Sequence, residues 1–191
     1  MPQKIKVIIG STRPNRFGDK PGAWIAELAK AQEGFDVEVL DLRDYPMPFL
    51  EDKVPPSQVT GAYGDPAVQK WADKIAEADG FIVIAAEYNH GYTAVLKNAI
   101  DQVYKEWNHK AVAFVGYGGV GGARAVEQLR EVVVELQMAP VRQAVHIMAP
   151  WMLTDGDALK PGALDQYTDA AKGMLTNLSW WTKALKAARQ S

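Results

Sequence analysis

The sequence predicts an α/β fold, a parallel β-sheet covered by helices on both faces, and two patterns carry that prediction. Five short apolar runs rich in β-branched residues recur along the chain, at 5–9, 35–40, 81–86, 111–115 and 141–147. Longer stretches with apolar residues at helical spacing alternate with them. Strands that stay apolar nearly throughout belong to a sheet buried on both sides, which is the parallel arrangement joined by right-handed helical crossovers.

Taken in order, the first run empties into the polar segment Gly10 to Gly18, after which Trp24, Leu28 and Ala31 mark a helix that begins near residues 18–23. The second run is followed by 43–66, where Pro46, Pro48, Pro55, Pro56, Gly61 and Gly64 argue for a long irregular connection. Val68, Trp71, Ile75 and Ala78 space the next helix, and Val95, Ala99, Ile100 and Val103 the one after the third run, over 94–104. Val126, Leu129, Val133 and Leu136 follow the fourth run. A closing helix over 163–188 carries Met174, Leu178, Trp181 and Leu185. At 191 residues, one domain spanning 1–191 is the expectation.

Composition narrows the chemistry. There are no cysteines, so disulfides, thiolate metal sites and a cysteine nucleophile are excluded, and any redox chemistry must come from a cofactor. A net charge of -2 argues against a nucleic-acid partner. The apolar stretch near the N-terminus is too short for a membrane span and lacks a cleavage-site pattern, so a cytoplasmic location is expected. No histidine pair has metal-ligand spacing with an acid in reach, and Ser11 lacks a nucleophile-elbow context, so zinc hydrolysis and an α/β-hydrolase triad have no support. His109 falls away from the binding edge and His146 inside the fifth strand. Trp180 and Trp181 read as core or interface packing.

In open sheets of this kind ligands bind outside the carboxyl ends of the strands, at the switch point in strand order, so the loops after the first, third and fourth runs are where chemistry is sought. The first, "GSTRPNRFG", combines hydroxyls, arginines and a helix start, which suits an anion; a solvated turn with surface arginines fits the same residues. The spacing is not that of a P-loop. The second, "EYNHGYT", sets an acid, a phenol, an amide and an imidazole before a glycine, which suits a planar heterocycle; Thr93 as an N-cap with merely exposed polar neighbours is the other reading. The third, "GYGGVGGAR", matches G-x-G-x-x-G through Gly116, Gly118 and Gly121, but it follows the wrong strand for a dinucleotide fingerprint and no acid ends the next strand. Either its glycines let a flat ligand approach the backbone, or they form a flexible helix entry.

In that order, the three loops resemble those of the NADPH-dependent FMN reductases of the flavodoxin-like fold. "GSTRPNR" resembles the family's G-S-x-R phosphate loop, "EYNHGYTAVLKNAID" its P-E-Y-N-x-S-x-P-x-x-L-K-N-A-I-D signature, and "GYGGVGGARA" its flavin-facing glycine loop. The resemblance implies a doubly wound sheet of order 2-1-3-4-5, non-covalent FMN, and NAD(P)H as the donor of a hydride passed on to a small acceptor such as free flavin or a quinone. Carried onto this chain, Ser11 and Arg13 hold the phosphate, helped by Arg16, Phe17 and Gly18. Glu87, Tyr88, Asn89 and His90 line the isoalloxazine and ribityl chain, and Tyr117, Gly118 and Gly119 border the ring. No side chain is assigned as catalytic and no metal is implied. Lys97, Asn98 and Asp101 become structural or subunit-contact positions, and a homodimer or homotetramer is implied. Ala86, Gly91 and Thr93 replace a proline, a serine and a second proline of the pattern, which predicts a looser loop, and Arg16 stands where many relatives have serine. Azo-dye or nitro-compound reduction on the same cofactor is the alternative activity. A flavodoxin-type electron carrier is the non-enzymatic one, and the small net charge gives it little steering towards partners.

Overall fold

In the computed structural model, which describes residues 2–191, the five apolar runs form one parallel sheet. Its strands are β1 (Gln3–Ile9), β2 (Phe35–Asp41), β3 (Gly80–Ala86), β4 (Ala111–Gly118) and β5 (Ala139–Met148), in the order β2-β1-β3-β4-β5. That is the flavodoxin-like order, with its switch point between β1 and β3. Strands outrun their apolar runs because ladder hydrogen bonds need only backbone: β4 keeps pairing with β3 through Gly116 and Tyr117, and with β5 through Gly118 as well.

The helices are α1 (Asp19–Lys30), α2 (Pro66–Glu77), α3 (Ala94–Asp101), α4 (Ala123–Glu135) and α5 (Thr168–Arg189). On one face α1 and α5 bury Ile25, Ala26, Met174 and Leu178 against Val7, Ile84 and Val145. On the other, α2, α3 and α4 bury Trp71, Ile75, Leu96 and Leu129 against Ile8, Val83 and Phe114. Trp71 is fully buried, donates its indole N–H to the Ala99 carbonyl at 2.8 Å, and meets Tyr45 and Trp107 edge-on. It ties α2 to α3.

Three departures have local causes. Helix α3 ends at Asp101 instead of 104, where Gln102 turns its amide onto the Pro48 carbonyl at 2.7 Å; Val103 and Trp107 are buried all the same from the turns that follow. Helix α5 starts at Thr168 instead of 163, behind a left-handed Gly162 and a single 3-10 turn at Asp165–Tyr167. Its buried stripe continues from Met174 and Leu178 to Thr182, which leaves Trp181 on the flank; Trp180 and Trp181 are exposed and pack edge-to-face on one another, not into the core.

Between β5 and α5 lies a small antiparallel hairpin with no counterpart in the sequence reading, β6 (Thr154–Asp155) and β7 (Ala158–Leu159), turned at a left-handed Gly156. The stretch 43–66 is irregular apart from two single 3-10 turns, and Asn98 and Gln102 both pin its Pro48 carbonyl. Among the described residues, no helix is long and apolar enough to cross a membrane.

Replacing Trp71 with alanine removes a fully buried indole and its hydrogen bond, and is expected to lower the free energy of unfolding by about 3–5 kcal/mol. Equilibrium urea denaturation of the two proteins measures it.

Candidate active site

The site starts where β1 leaves the sheet. The Gly10 N–H donates to the Ile84 carbonyl at 3.0 Å, and a Cβ on Gly10 would lie 2.7 Å from that oxygen, so only glycine lets the chain pass this close to β3. From the other side the Thr93 hydroxyl donates to the Gly10 carbonyl and accepts from the Leu96 N–H, capping α3. Thr93 thus braces the two loops together, contrary to the looseness its replacement of proline predicts.

Arg16 lies under the first loop. With 1% of its side chain exposed, it donates to the Ser11 carbonyl and pairs with Asp19 and Asp41. Burial alone would push Asp41 up, but hydrogen bonds from Arg16 and Arg43 hold its carboxyl down to about 2. The Arg16 guanidinium is therefore engaged inside the protein; it shapes the loop expected to hold the phosphate, and the residue also borders the cleft. The cations that face outward are Arg13, whose guanidinium stands 5.7 Å from the Tyr88 ring centroid, and Lys20 in the first turn of α1. Neither forms an ion pair among the described residues. The N-cap of α1, Gly18, offers no side-chain cap; the Lys20 N–H donates to the Phe17 carbonyl at 3.0 Å and Pro21 has none, which leaves the N–H of Asp19 at the helix start.

The second loop is a tight hairpin. Tyr88 and Gly91 exchange backbone hydrogen bonds at 2.8 and 3.0 Å around Asn89 and His90, both left-handed with φ of 49° and 70°. A two-residue hairpin with positive φ at both central positions favours asparagine and tolerates histidine. Asn89 and His90 consequently make the turn and stay exposed outside the cleft, where His90 meets Arg124 at 2.7 Å and its carbonyl accepts from Gln128. Glu87 and Tyr88 do face the cleft. Burial acts to raise Glu87, but Arg124 pairs with it through side chain and backbone and holds it below the usual carboxylate range. The Tyr88 hydroxyl bonds Ser11 Oγ at 2.8 Å.

The third loop divides its glycines. Those at 116, 121 and 122 are required by the protein's own packing: a Cβ on Gly122, left-handed at φ 69°, would lie 2.5 Å from the Tyr117 nitrogen, and one on Gly121 would lie 2.8 Å from His146 Cβ. Gly122 is also the N-cap of α4, so this part of the loop is a helix entry. Only Gly118 and Gly119 border the cleft. Tyr117 is buried, lies 5.3 Å from the Phe17 ring, and passes so near Gly18 that a Cβ there would sit 2.9 Å from its oxygen. Burial, then the neighbouring Tyr88, pushes its phenol up to about 12 and keeps it neutral.

Together these groups enclose a cleft of about 370 Å³ at the carboxyl edge of the sheet. Arg13, Arg16, Phe17, Glu87 and Tyr88 line it, with Tyr117, Gly118 and Gly119. Ser11 and Gly18 stand behind this lining and support it. Sequence reasoning missed Asn15, Lys20 and a far wall built by Pro150, Trp151, Thr154, Gly156 and Asp157, and also Arg124, which does not line the cleft but holds Glu87. Lys20 was within reach as a basic residue opening a helix, and Arg124 as the cation beside the glycine loop. The far wall had no signal, since it meets Gly119 only through the fold. Among the described residues, no three His, Asp or Glu converge as a metal-like group.

The donor set suits one molecule that is dianionic at one end and flat at the other: two free cations and an uncapped helix start, then aromatic faces and bare glycine backbone. Comparison with known proteins agrees. The profile of the NADPH-dependent FMN reductases matches residues 3–151. An NAD(P)H-dependent FMN reductase of Schizosaccharomyces pombe is 38% identical over 146 residues, covering 75% of this chain and 73% of its own. An NAD(P)H:quinone oxidoreductase of Solanum tuberosum is 38% identical over 140 residues, covering 71% and 69%. Among solved structures, the flavoenzyme NAD(P)H:(acceptor) oxidoreductase FerB from Paracoccus denitrificans superposes with a TM-score of 0.73 at 19% identity, over 93% of this chain and 97% of its own, and shows the shared fold.

Asp41→Asn tests the brace under the first loop. Because the folded value of about 2 lies below the ordinary 3.8, the carboxylate stabilises the protein fully above pH 4 and loses that effect as pH falls towards 2. The variant should be about 2 kcal/mol less stable than the parent at pH 7, with the gap closing almost entirely by pH 2, measured by urea unfolding at pH 7, 4 and 2.

Proposed function

The chain belongs to the NADPH-dependent FMN reductase family, and from that premise we propose that its cleft holds FMN non-covalently, with the phosphate on Arg13, Lys20 and the start of α1 and the ring between Tyr88 and the Gly118–Gly119 backbone. The protein is an NAD(P)H-dependent flavin oxidoreductase. The observation that carries the site assignment is the pairing of unpaired cations with aromatic and glycine surfaces in one cleft.

When bound, FMN would supply the redox chemistry, hydride acceptance from NAD(P)H and two-electron reduction of a small acceptor. The chain's own residues bind and orient. Arg13 and Lys20 neutralise phosphate charge, and the guanidinium fork of Arg13 matches phosphate oxygens. Ser11, bonded to Tyr88, holds that ring against the loop. Glu87 is committed to Arg124 and Tyr117 stays a neutral phenol, so neither moves a proton at neutral pH. A free flavin or a quinone is the acceptor class that fits a flat aromatic cleft, and quinone reduction is what the potato relative's name states. A single domain, a cytoplasmic location, where NAD(P)H is supplied, and a homodimeric or homotetrameric assembly complete the proposal.

Arg13→Ala is expected to weaken FMN binding about 10- to 100-fold, the loss of one charge-assisted phosphate contact. Quenching of flavin fluorescence on titration measures it, and an unchanged affinity would remove Arg13 from the phosphate site. The parent protein loaded with FMN should lose its yellow absorbance on anaerobic addition of one equivalent of NADH or NADPH and regain it with a quinone; a flavin that neither nucleotide bleaches would refute the activity.

A further inference from the structure

The far wall of the cleft is built differently from the rest. After β5 the Ala149 backbone enters the left-handed region, with φ 44° and ψ 59°, which a residue bearing a Cβ seldom adopts unless its surroundings hold it there. They do: the Ala149 N–H donates to the Gly118 carbonyl at 3.0 Å, and the Met148 N–H to the Tyr167 hydroxyl at 3.3 Å. The turn sends Pro150 and Trp151 back over the glycine edge, so that a Cβ on Gly119 would meet the tip of the Trp151 ring at 3.8 Å, an ordinary contact distance. Lys160 secures the base of this strap, its ammonium on the Met152 carbonyl at 2.9 Å and its N–H on that of Leu153 at 3.0 Å, and the β6–β7 hairpin completes it.

Despite these restraints, Trp151 is 64% exposed. The other aromatics of the cleft are engaged: Tyr117 is buried against Phe17, and Tyr88 is half-buried and bonded to Ser11. A large indole aimed along a cleft wall by a strained, hydrogen-bonded turn, with most of its surface uncovered, is arranged to stack on something flat.

Resting on the FMN reductase reading above, we propose that Trp151 is the specificity-determining residue for the oxidising substrate, selecting planar aromatic acceptors by stacking their ring on its indole. The class includes quinones and free isoalloxazines. For a quinone the balance is a hydride taken from NAD(P)H and a proton from solvent, giving NAD(P)+ and the hydroquinone. An acceptor without an aromatic plane, such as ferricyanide, gains nothing from the indole.

The test compares FMN-loaded wild type, Trp151→Ala and Trp151→Phe at saturating NAD(P)H, with 1,4-naphthoquinone and with ferricyanide. The absence of cysteines spares the protein thiol addition to the quinone. On protein matched for FMN content by absorbance, Trp151→Ala should lower kcat/KM for naphthoquinone about tenfold more than it lowers kcat/KM for ferricyanide, as expected for one lost stacking contact. Calorimetric titration of the oxidised, FMN-loaded proteins with naphthoquinone should show the same tenfold loss in binding, and Trp151→Phe should restore most of both. Unchanged quinone constants in Trp151→Ala, or an equal fall for quinone and ferricyanide, would overturn the proposal. A wild type that binds naphthoquinone yet oxidises NAD(P)H with neither acceptor would instead remove the enzymatic reading and leave the stacking to the calorimetric comparison, which decides it alone.

Discussion

The site depends on one buried cation. Arg16 sits beneath the first loop, and an arginine taken out of water must find full compensation or destabilise the fold. It finds it in the Ser11 carbonyl at the end of β1, Asp19 in the first turn of α1 and Asp41 at the end of β2. Three elements that meet at this edge are thereby tied to a single planar group and cannot shift independently. Ser11 is held with its hydroxyl on Tyr88, and Arg13, three residues before the brace, is left facing outward. An arginine in this loop reads from sequence as a further phosphate ligand; in the fold it is the support on which the loop is built.

The same division between engaged and free groups runs through the cleft. Glu87 is committed to Arg124, and the pair joins the second loop to the start of α4. His90 is committed to Arg124 and Gln128, and Thr93 to Gly10. What remains unengaged is two cations, an uncapped helix start and several flat surfaces. Arg124 holds Glu87 below the usual carboxylate range and burial keeps the Tyr117 phenol up, and no proton donor or acceptor is required where the chemistry resides in a cofactor and the protein's task is to bind and orient it. Where the family pattern has two prolines, the second loop is instead tied by short polar contacts, from Thr93 to Gly10, Tyr88 to Ser11 and Glu87 to Arg124.

The glycines separate the two kinds of constraint. Gly10, Gly116, Gly121 and Gly122 are glycines because other parts of the same protein press against them, while Gly118, tight against Glu87, and Gly119, facing Trp151, are the two of the third loop that border the cleft. A motif search treats all of them alike. Their roles diverge only when the neighbouring strand, the His146 side chain and the Tyr117 nitrogen are in place.

By itself, the sequence determined the five strands, the layered α/β fold and the sheet edge where the site lies, because apolar periodicity is a local consequence of burial and can be read one segment at a time. It also singled out the three loops that line the cleft, through residue types unusual for turns. Tertiary structure decided which of those residues face the cleft: Arg16 turned inward because Asp41 arrives from the far end of β2, Asn89 and His90 became turn residues because Tyr88 and Gly91 pair, and Trp151 joined the site because the chain folds back at Ala149. The hairpin is set by its own ends, but the other two outcomes depend on partners tens of residues away, Asp41 for Arg16 and Gly118 for Ala149, and side-chain direction follows from where those partners stand. No local pattern records it.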